Sequence, residues 1–197
     1  HGAQPQICIQ IYMEKMRKKL LLTFMLLGCT AVAQHFRFAQ LTDIHLNSKI
    51  PERKEQLAES IQRINSLDSL DFVLVTGDIS DDGDRPAMME VKRCIDQLRV
   101  PYYIVMGNHE TKWSDSGCMA WKDIFGYERF EFEYQGVHFL GFNTGPLMRM
   151  AYGHVVAQDL AWLKERLDSY PKDEPVIIVT HYPLLKGDVD NWYEVTD

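Results

Sequence analysis

Four short polar segments, each set where an apolar run ends, constrain this chain more than any other feature. They are Asp43-Ile44-His45, Gly77-Asp78-Ile79-Ser80-Asp81-Asp82-Gly83, Gly107-Asn108-His109-Glu110 and Thr180-His181-Tyr182. The runs before them are 36–41, 72–75, 102–106 and 176–179. Short apolar runs separated by helical patterns read as parallel strands of an α/β sheet. Ligands of such sheets gather at the carboxyl ends of the strands. The four segments should therefore meet at one rim, bringing together two Asp, two or three His and one Asn. Carboxylates, imidazoles and an amide oxygen form a ligand set for metal ions, and two ions suit it better than one.

Between the runs, Pro51 opens a helical pattern with Leu57, Ile61 and Ile64 on one face, as Pro does in a first helical turn. A second stripe, Met88, Val91, Ile95 and Leu98, predicts a helix before the strand that starts at Tyr102. This β-α-β-α-β alternation implies right-handed crossovers and a largely parallel sheet. The segment 113–125 predicts a loop with a short helix over the site. Gln135-Gly136 joins two strand patterns into an antiparallel hairpin. Leu160, Leu163 and Leu167 stripe a further helix, Val176–Val179 reads as a buried strand, and 192–195 as the start of a helix.

At its polar segments the chain resembles the calcineurin-like metallophosphoesterase superfamily. That family's pattern runs D-x-H, G-D-x-x-D-x-G, G-N-H-E/D, a lone His after a strand, and G-H-x-H. The first four blocks occur here in order. The resemblance implies two packed sheets, a β-sandwich flanked by helices, and hydrolysis of a phosphate ester by hydroxide activated between two metal ions. It also implies that the G-H-x-H ligands lie beyond Asp197.

Such a hydrolase must neutralise phosphoryl charge and supply hydroxide near neutral pH, and two ions about 3.5–4 Å apart do both. Asp43 and His45, alternate residues at a strand end, fit one ion, and Asn108 and His181 fit the other. Asp78 would bridge them with its two carboxylate oxygens. Mixed nitrogen and oxygen donors suit Mn, Fe, Zn or Ni. Family analogy assigns His109 as general acid for the leaving oxygen, with Asp81 the carboxylate that stabilises its imidazolium. Glu110 reads as a loop support, Asp82 and Asp84 as solvated turn residues, and His35 and His138 as outside the site.

Departures narrow the substrate. Purple acid phosphatases carry Tyr where this chain has Asp81. Phosphoprotein phosphatases carry two phosphate-clamping arginines where it has Asp82 and Met106. Arg85, Lys112, Arg149 and Lys186 are the available replacements. A small-molecule phosphate ester, monoester or diester, is the implied substrate, and a non-catalytic binding domain of the same fold is the rival reading.

The remaining expectations concern location. Met13 precedes Lys15, Arg17, Lys18 and Lys19, an apolar run to Gly28, and the small residues Ala31-Val32-Ala33. This is the layout of a bacterial export signal, too short to span a membrane. It makes 1–33 a leader, 34–197 the catalytic domain, and the periplasm or cell envelope its location. Leu26-Leu27-Gly28-Cys29 also loosely fits a lipid-anchor site at Cys29. Without residues 1–33 the chain keeps 17 basic and 27 acidic side chains, against 21 and 28 in the whole, for a net charge of −10. That balance disfavours nucleic acid as a partner. Cys94 and Cys118 show no zinc spacing, and export leaves a disulfide between them open.

Overall fold

The computed structural model describes residues 10–13, 35–114, 116–146, 152–185 and 195. One sheet has the order β1-β2-β3-β4, built from Gln10–Met13, Arg37–Leu41, Phe72–Thr76 and Tyr102–Val105. β2, β3 and β4 are parallel, and β1 adds antiparallel to the β2 edge. The second sheet, β5-β6-β7, comprises Phe130–Tyr134, Val137–Gly141 and Val176–Val179. β5 and β6 form the expected hairpin, and β7 joins β6 in parallel. Apart from β1, the leader lies outside the described residues, and so do Arg149, Lys186 and 192–194.

Alternation of side chains across the first sheet explains why its strands read as unbroken apolar runs. Phe38, Phe72, Leu74 and Val105 point to the second sheet and meet Phe130, Val137, Phe139 and Val179. Aromatic rings fill this layer: Phe38 stacks on Phe72 at 5.3 Å, and Phe132 on Phe139 at 4.6 Å. Ala39, Leu41, Val73, Val75 and Ile104 point the other way, into a core shared with helices. Those helices are α1 (Pro51–Asn65), α2 (Arg85–Ile95) and α4 (Met119–Phe125), with the short α3 (Asn108–Lys112) between β4 and α4. α5 (Ala157–Ser169) lies by the second sheet, where Arg129 pairs with Asp159 and covers the Trp162 ring. The fold is thus α/β with two packed sheets flanked by helices.

Several expectations need correction. α4 packs into the helix-side core. Its Ala120, Trp121 and Phe125 are buried beside α2, and Trp121 Nε1 donates to the Tyr127 carbonyl at 2.9 Å, so apolar burial decides its place. Asp84 is the N-cap of α2, accepting from Ala87 N at 2.9 Å, rather than a solvated turn residue. The Leu160, Leu163, Leu167 stripe buries no residue of α5, and Leu160 is exposed. β7 is half-buried rather than buried, with Ile178 exposed. Val195 forms an isolated bridge with Gly153. Cys94 and Cys118, for which the sequence left a disulfide open, are free thiols. No helix among the described residues is long and apolar enough to cross a membrane.

Candidate metal centre

The loops after β2 and β3 continue the ladder of their strands. Asp43 N donates to Gly77 O at 3.1 Å, His45 N to Asp78 O at 2.9 Å, and Leu46 N to Ile79 O at 2.9 Å. To follow this path Asp43, His45 and Asp78 adopt left-handed backbone, at φ 55°, 49° and 51°. Such backbone is costly for residues with a Cβ and concentrates at functional sites. Gly77 is required for a different reason. A Cβ there would lie 2.7 Å from the Gly107 backbone and 2.9 Å from His181 Nδ1, so the third and fourth segments close directly over it.

Glu110 ties the loops together from beneath. Its side chain is 2 % exposed. Oε2 accepts from Gly107 N and Asp78 N, both at 2.9 Å. Oε1 accepts from Ser80 N at 3.0 Å and Ser80 Oγ at 3.2 Å. Burial, and after it the Asp78 charge, raise the pKa of the Glu110 carboxyl, and the backbone N–H groups of Ser80 and Gly107 offset this only in part. Three of its four partners are N–H groups that can only donate, which favours the carboxylate form. The loop-supporting role read from the sequence matches this geometry.

Above Glu110 the five expected ligand residues converge. Asp78, 4 % exposed, is the hub. Its Oδ1 accepts from His109 N at 2.9 Å. Its Oδ2 faces three imidazole nitrogens: His181 Nε2 at 3.3 Å, His45 Nε2 at 3.7 Å and His109 Nε2 at 3.9 Å. Two clusters of donor atoms result, His45 with Asp78 and His109, and Asp43 with Asp78 and His181. Asp78 alone belongs to both. Asn108 Oδ1 lies 3.0 Å from His181 Nε2.

Hydrogen bonds fix two tautomers. His181 Nδ1 lies 2.8 Å from the Thr76 carbonyl and donates to it, which turns the Nε2 lone pair inward. His109 Nδ1 lies 2.5 Å from the Asp81 carbonyl and likewise donates. Electrostatics agree with a cation site. Burial pushes the His181 pKa down, but the hydrogen bond and charge of Asp78 outweigh it and raise it to about 9. Burial opposes the His45 imidazolium as well, and Asp43, Asp78 and Asp81 together still raise its pKa. Burial would raise Asp78 and Asp43, yet His181 and His45 respectively hold both low. The protein on its own thus draws protons to the positions a metal cation would take. Anionic oxygens, imidazole nitrogens with inward lone pairs and an amide oxygen fit divalent ions of the first transition row.

Among the candidate triads, Asp43 groups with His181 about Asp78, and His45 with His109. The expected pair is also in reach, with His45 Nε2 3.7 Å from Asp43 Oδ1. His109 joins a ligand cluster, although its expected place was outside the ligand set. Asp78 Oδ1 accepts from the His109 amide, and Oδ2 is the oxygen that faces the imidazoles. The Asp81 carboxylate does not face His109. It is turned to Arg53 and to His45 Nδ1, at 2.6 Å and 3.1 Å, and only its carbonyl meets His109. Arg85 pairs with Asp123 on α4, and Lys112 lies over Trp113 at 5.1 Å. His138 bonds Glu174 at 2.5 Å and stacks on Tyr170, outside the site as expected. Arg53 carried no signal in the sequence, because nothing about its place in α1 distinguishes it from the other charged residues there.

The family model for calcineurin-like phosphoesterases matches residues 36–197. The chain belongs to that family. A 3′,5′-cyclic-nucleotide phosphodiesterase of Nostoc sp. is 28 % identical over 158 residues, 75 % of this chain and 56 % of that protein. A probable glycerophosphodiester phosphodiesterase of Arcobacter nitrofigilis is 27 % identical over 167 residues, 77 % of this chain and 59 % of that protein. A 3′,5′-cyclic adenosine monophosphate phosphodiesterase of Escherichia coli is 24 % identical over 171 residues, 77 % and 57 % of the two chains. The chain therefore spans a little over half the length of these relatives. Among solved structures, a purple acid phosphatase from yellow lupin seeds superposes with a TM-score of 0.50 at 14 % identity, over 76 % of this chain and 33 % of that one. That likeness concerns the fold alone.

Proposed function

We propose that this chain carries the greater part of a dinuclear metal-dependent phosphodiesterase site. The observation that carries the reading is Asp78 Oδ2, which is common to both clusters of donor atoms. Two divalent ions, when bound, would supply Lewis acidity and a nucleophilic hydroxide at neutral pH. Asp43, Asp78 and His181 would hold one, with Asn108 as a further oxygen donor, and His45 with Asp78 the other. His109 holds a proton at Nε2 for the leaving oxygen, its ring oriented by the Asp81 carbonyl on Nδ1. At 27 % side-chain exposure it is reachable by substrate.

A diester substrate is favoured over a monoester on two grounds. The relatives above are named as phosphodiesterases. A phosphodiester also carries one negative charge where a monoester carries nearly two, so it asks less of a site with Asp82 and Met106 in place of clamping arginines. The leader pattern of 13–33 supports an exported location for this activity.

Hydrolysis of bis(p-nitrophenyl) phosphate, 3′,5′-cyclic AMP and p-nitrophenyl phosphate with added Mn(II) tests the reading. The two diesters should turn over faster than the monoester. Asp78→Asn should lose metal and activity together. His109→Ala should keep its metal and lose about 10²–10⁴-fold in rate, the range of a general acid, with the smaller loss on the aryl ester. If His109→Ala also empties the site, His109 is a ligand and the acid lies elsewhere.

A further inference from the structure

The Asp-x-His loop is gripped from outside the ligand cluster by α1. Arg53, in the first turn of that helix, is 18 % exposed at its side chain. One nitrogen, Nη1, lies 2.5 Å from the His45 carbonyl and 2.6 Å from Asp81 Oδ2. It therefore joins the backbone of one site loop to the side chain of the other. Asn47 Nδ2 adds a second bond to the same Asp81 oxygen at 2.9 Å. With Oδ2 held twice, Asp81 Oδ1 is turned to His45 Nδ1 at 3.1 Å. That nitrogen is buried and makes no hydrogen bond, and the Asp81 carboxylate is the charged group beside it. The opposite ring nitrogen, Nε2, then faces Asp43 Oδ1 and Asp78 Oδ2, both at 3.7 Å.

We propose that Arg53 is a positioning residue for one half of the metal centre, acting on His45 through its backbone carbonyl and through Asp81. The inference rests on reading the site as a two-ion centre. The physical reason is that a ligating imidazole needs its second nitrogen occupied to fix its tautomer and ring angle, and loss of such outer partners weakens metal binding by about 10–100-fold. His45 sits on left-handed backbone at φ 49°, so its carbonyl also needs an external anchor to hold that turn. A guanidinium nitrogen with two hydrogens serves both acceptors at once from a planar, always charged group. Asp81 thereby acquires a role at the metal side of the site, distinct from support of His109.

The effect is confined to one ion. His181 is held by the Thr76 carbonyl and Asp43 by Thr42, neither of which Arg53 touches. Titration of the full chain with Mn(II), followed by electron paramagnetic resonance and calorimetry, tests this. Wild type should bind two ions. Arg53→Met should weaken one about 10–100-fold and leave the other as it was. Arg53→Lys, which keeps the charge but not the plane, should fall between, and Asn47→Ala should shift the same site by less. In excess Mn(II) the Arg53→Met rate should return to near that of wild type, because Arg53 touches neither substrate nor ion. If Arg53→Met does not fold, Arg53→Lys and Asn47→Ala carry the comparison. Two ions bound to the variants at wild-type affinity, or both weakened equally, would overturn the inference while leaving the two-ion reading intact. A wild-type chain that binds no Mn(II) would instead refute that reading, and this inference with it.

Discussion

Replacing Glu110 by Gln changes one atom in a buried carboxylate that serves four donors, and its cost can be worked from their identities. If the new amide nitrogen took the place of Oε2, it would oppose the N–H groups of Gly107 and Asp78, and neither can accept. If it took the place of Oε1, it would meet Ser80 N and Ser80 Oγ. The hydroxyl can rotate to accept, so only Ser80 N is stranded, and Gln should choose that orientation. One orphaned buried N–H costs about 1–3 kcal/mol, and bonds to a charged acceptor are about 1 kcal/mol stronger than those to a neutral one. The sum is about 2–4 kcal/mol of stability. For a chain of this size that corresponds to a fall of about 4–16 °C in Tm. Ser80→Ala removes the hydroxyl that accommodates the amide, so the double variant should lose more than the two singles combined. Chemical denaturation of the metal-free chain measures all three. A Glu110→Gln variant within about 0.5 kcal/mol of wild type would refute the reasoning. It would show that Glu110 is already protonated, for which Gln is a near-isostere, and that burial wins over the surrounding N–H groups.

Two further outcomes follow from the same geometry. A Cβ on Gly107 would lie 2.2 Å from Asp78 Oδ1, so Gly107→Ala must displace the shared ligand by about 1 Å. Metal content by elemental analysis should drop and hydrolysis fall by about 10²-fold or more, and a variant that keeps full metal content would contradict the close approach. His181, with its pKa raised from 6.5 to about 9, is protonated in the metal-free protein at neutral pH and must release that proton to bind an ion. Metal affinity should therefore rise with pH by up to about tenfold per unit until about pH 9. Without metal, the stabilisation from protonated His181 is full below pH 6.5 and is lost as pH rises through about 9. Calorimetry in buffers of different ionisation enthalpy counts the proton, and an affinity flat between pH 6.5 and 8.5 would rule His181 out as that ligand.

Local order in the chain was enough to place the strands and to bring their ends together. An apolar run followed by Asp, His or Asn is a short-range signal, and parallel crossovers carry every such run to the same rim. Asp43, His45, Asp78, Asn108 and His181 were legible for that reason, and so was the supporting place of Glu110. The family pattern added the second sheet, which periodicity by itself did not reveal. What only the tertiary structure decided was direction. Left-handed backbone at Asp43, His45 and Asp78 sets where those side chains point, and no spacing rule encodes that. Asp81 faces His45 because Arg53 and Asn47, 28 and 34 residues away along the chain, reach its carboxylate from α1 and the first loop. α4 packs on α2 because its apolar Ala120, Trp121 and Phe125 are buried in the core there. Backbone propensity and hydrophobic period act over a few residues and can be read in order. The orientation of a polar side chain is set by which charges the fold brings within about 3 Å, and that depends on contacts the linear sequence does not display.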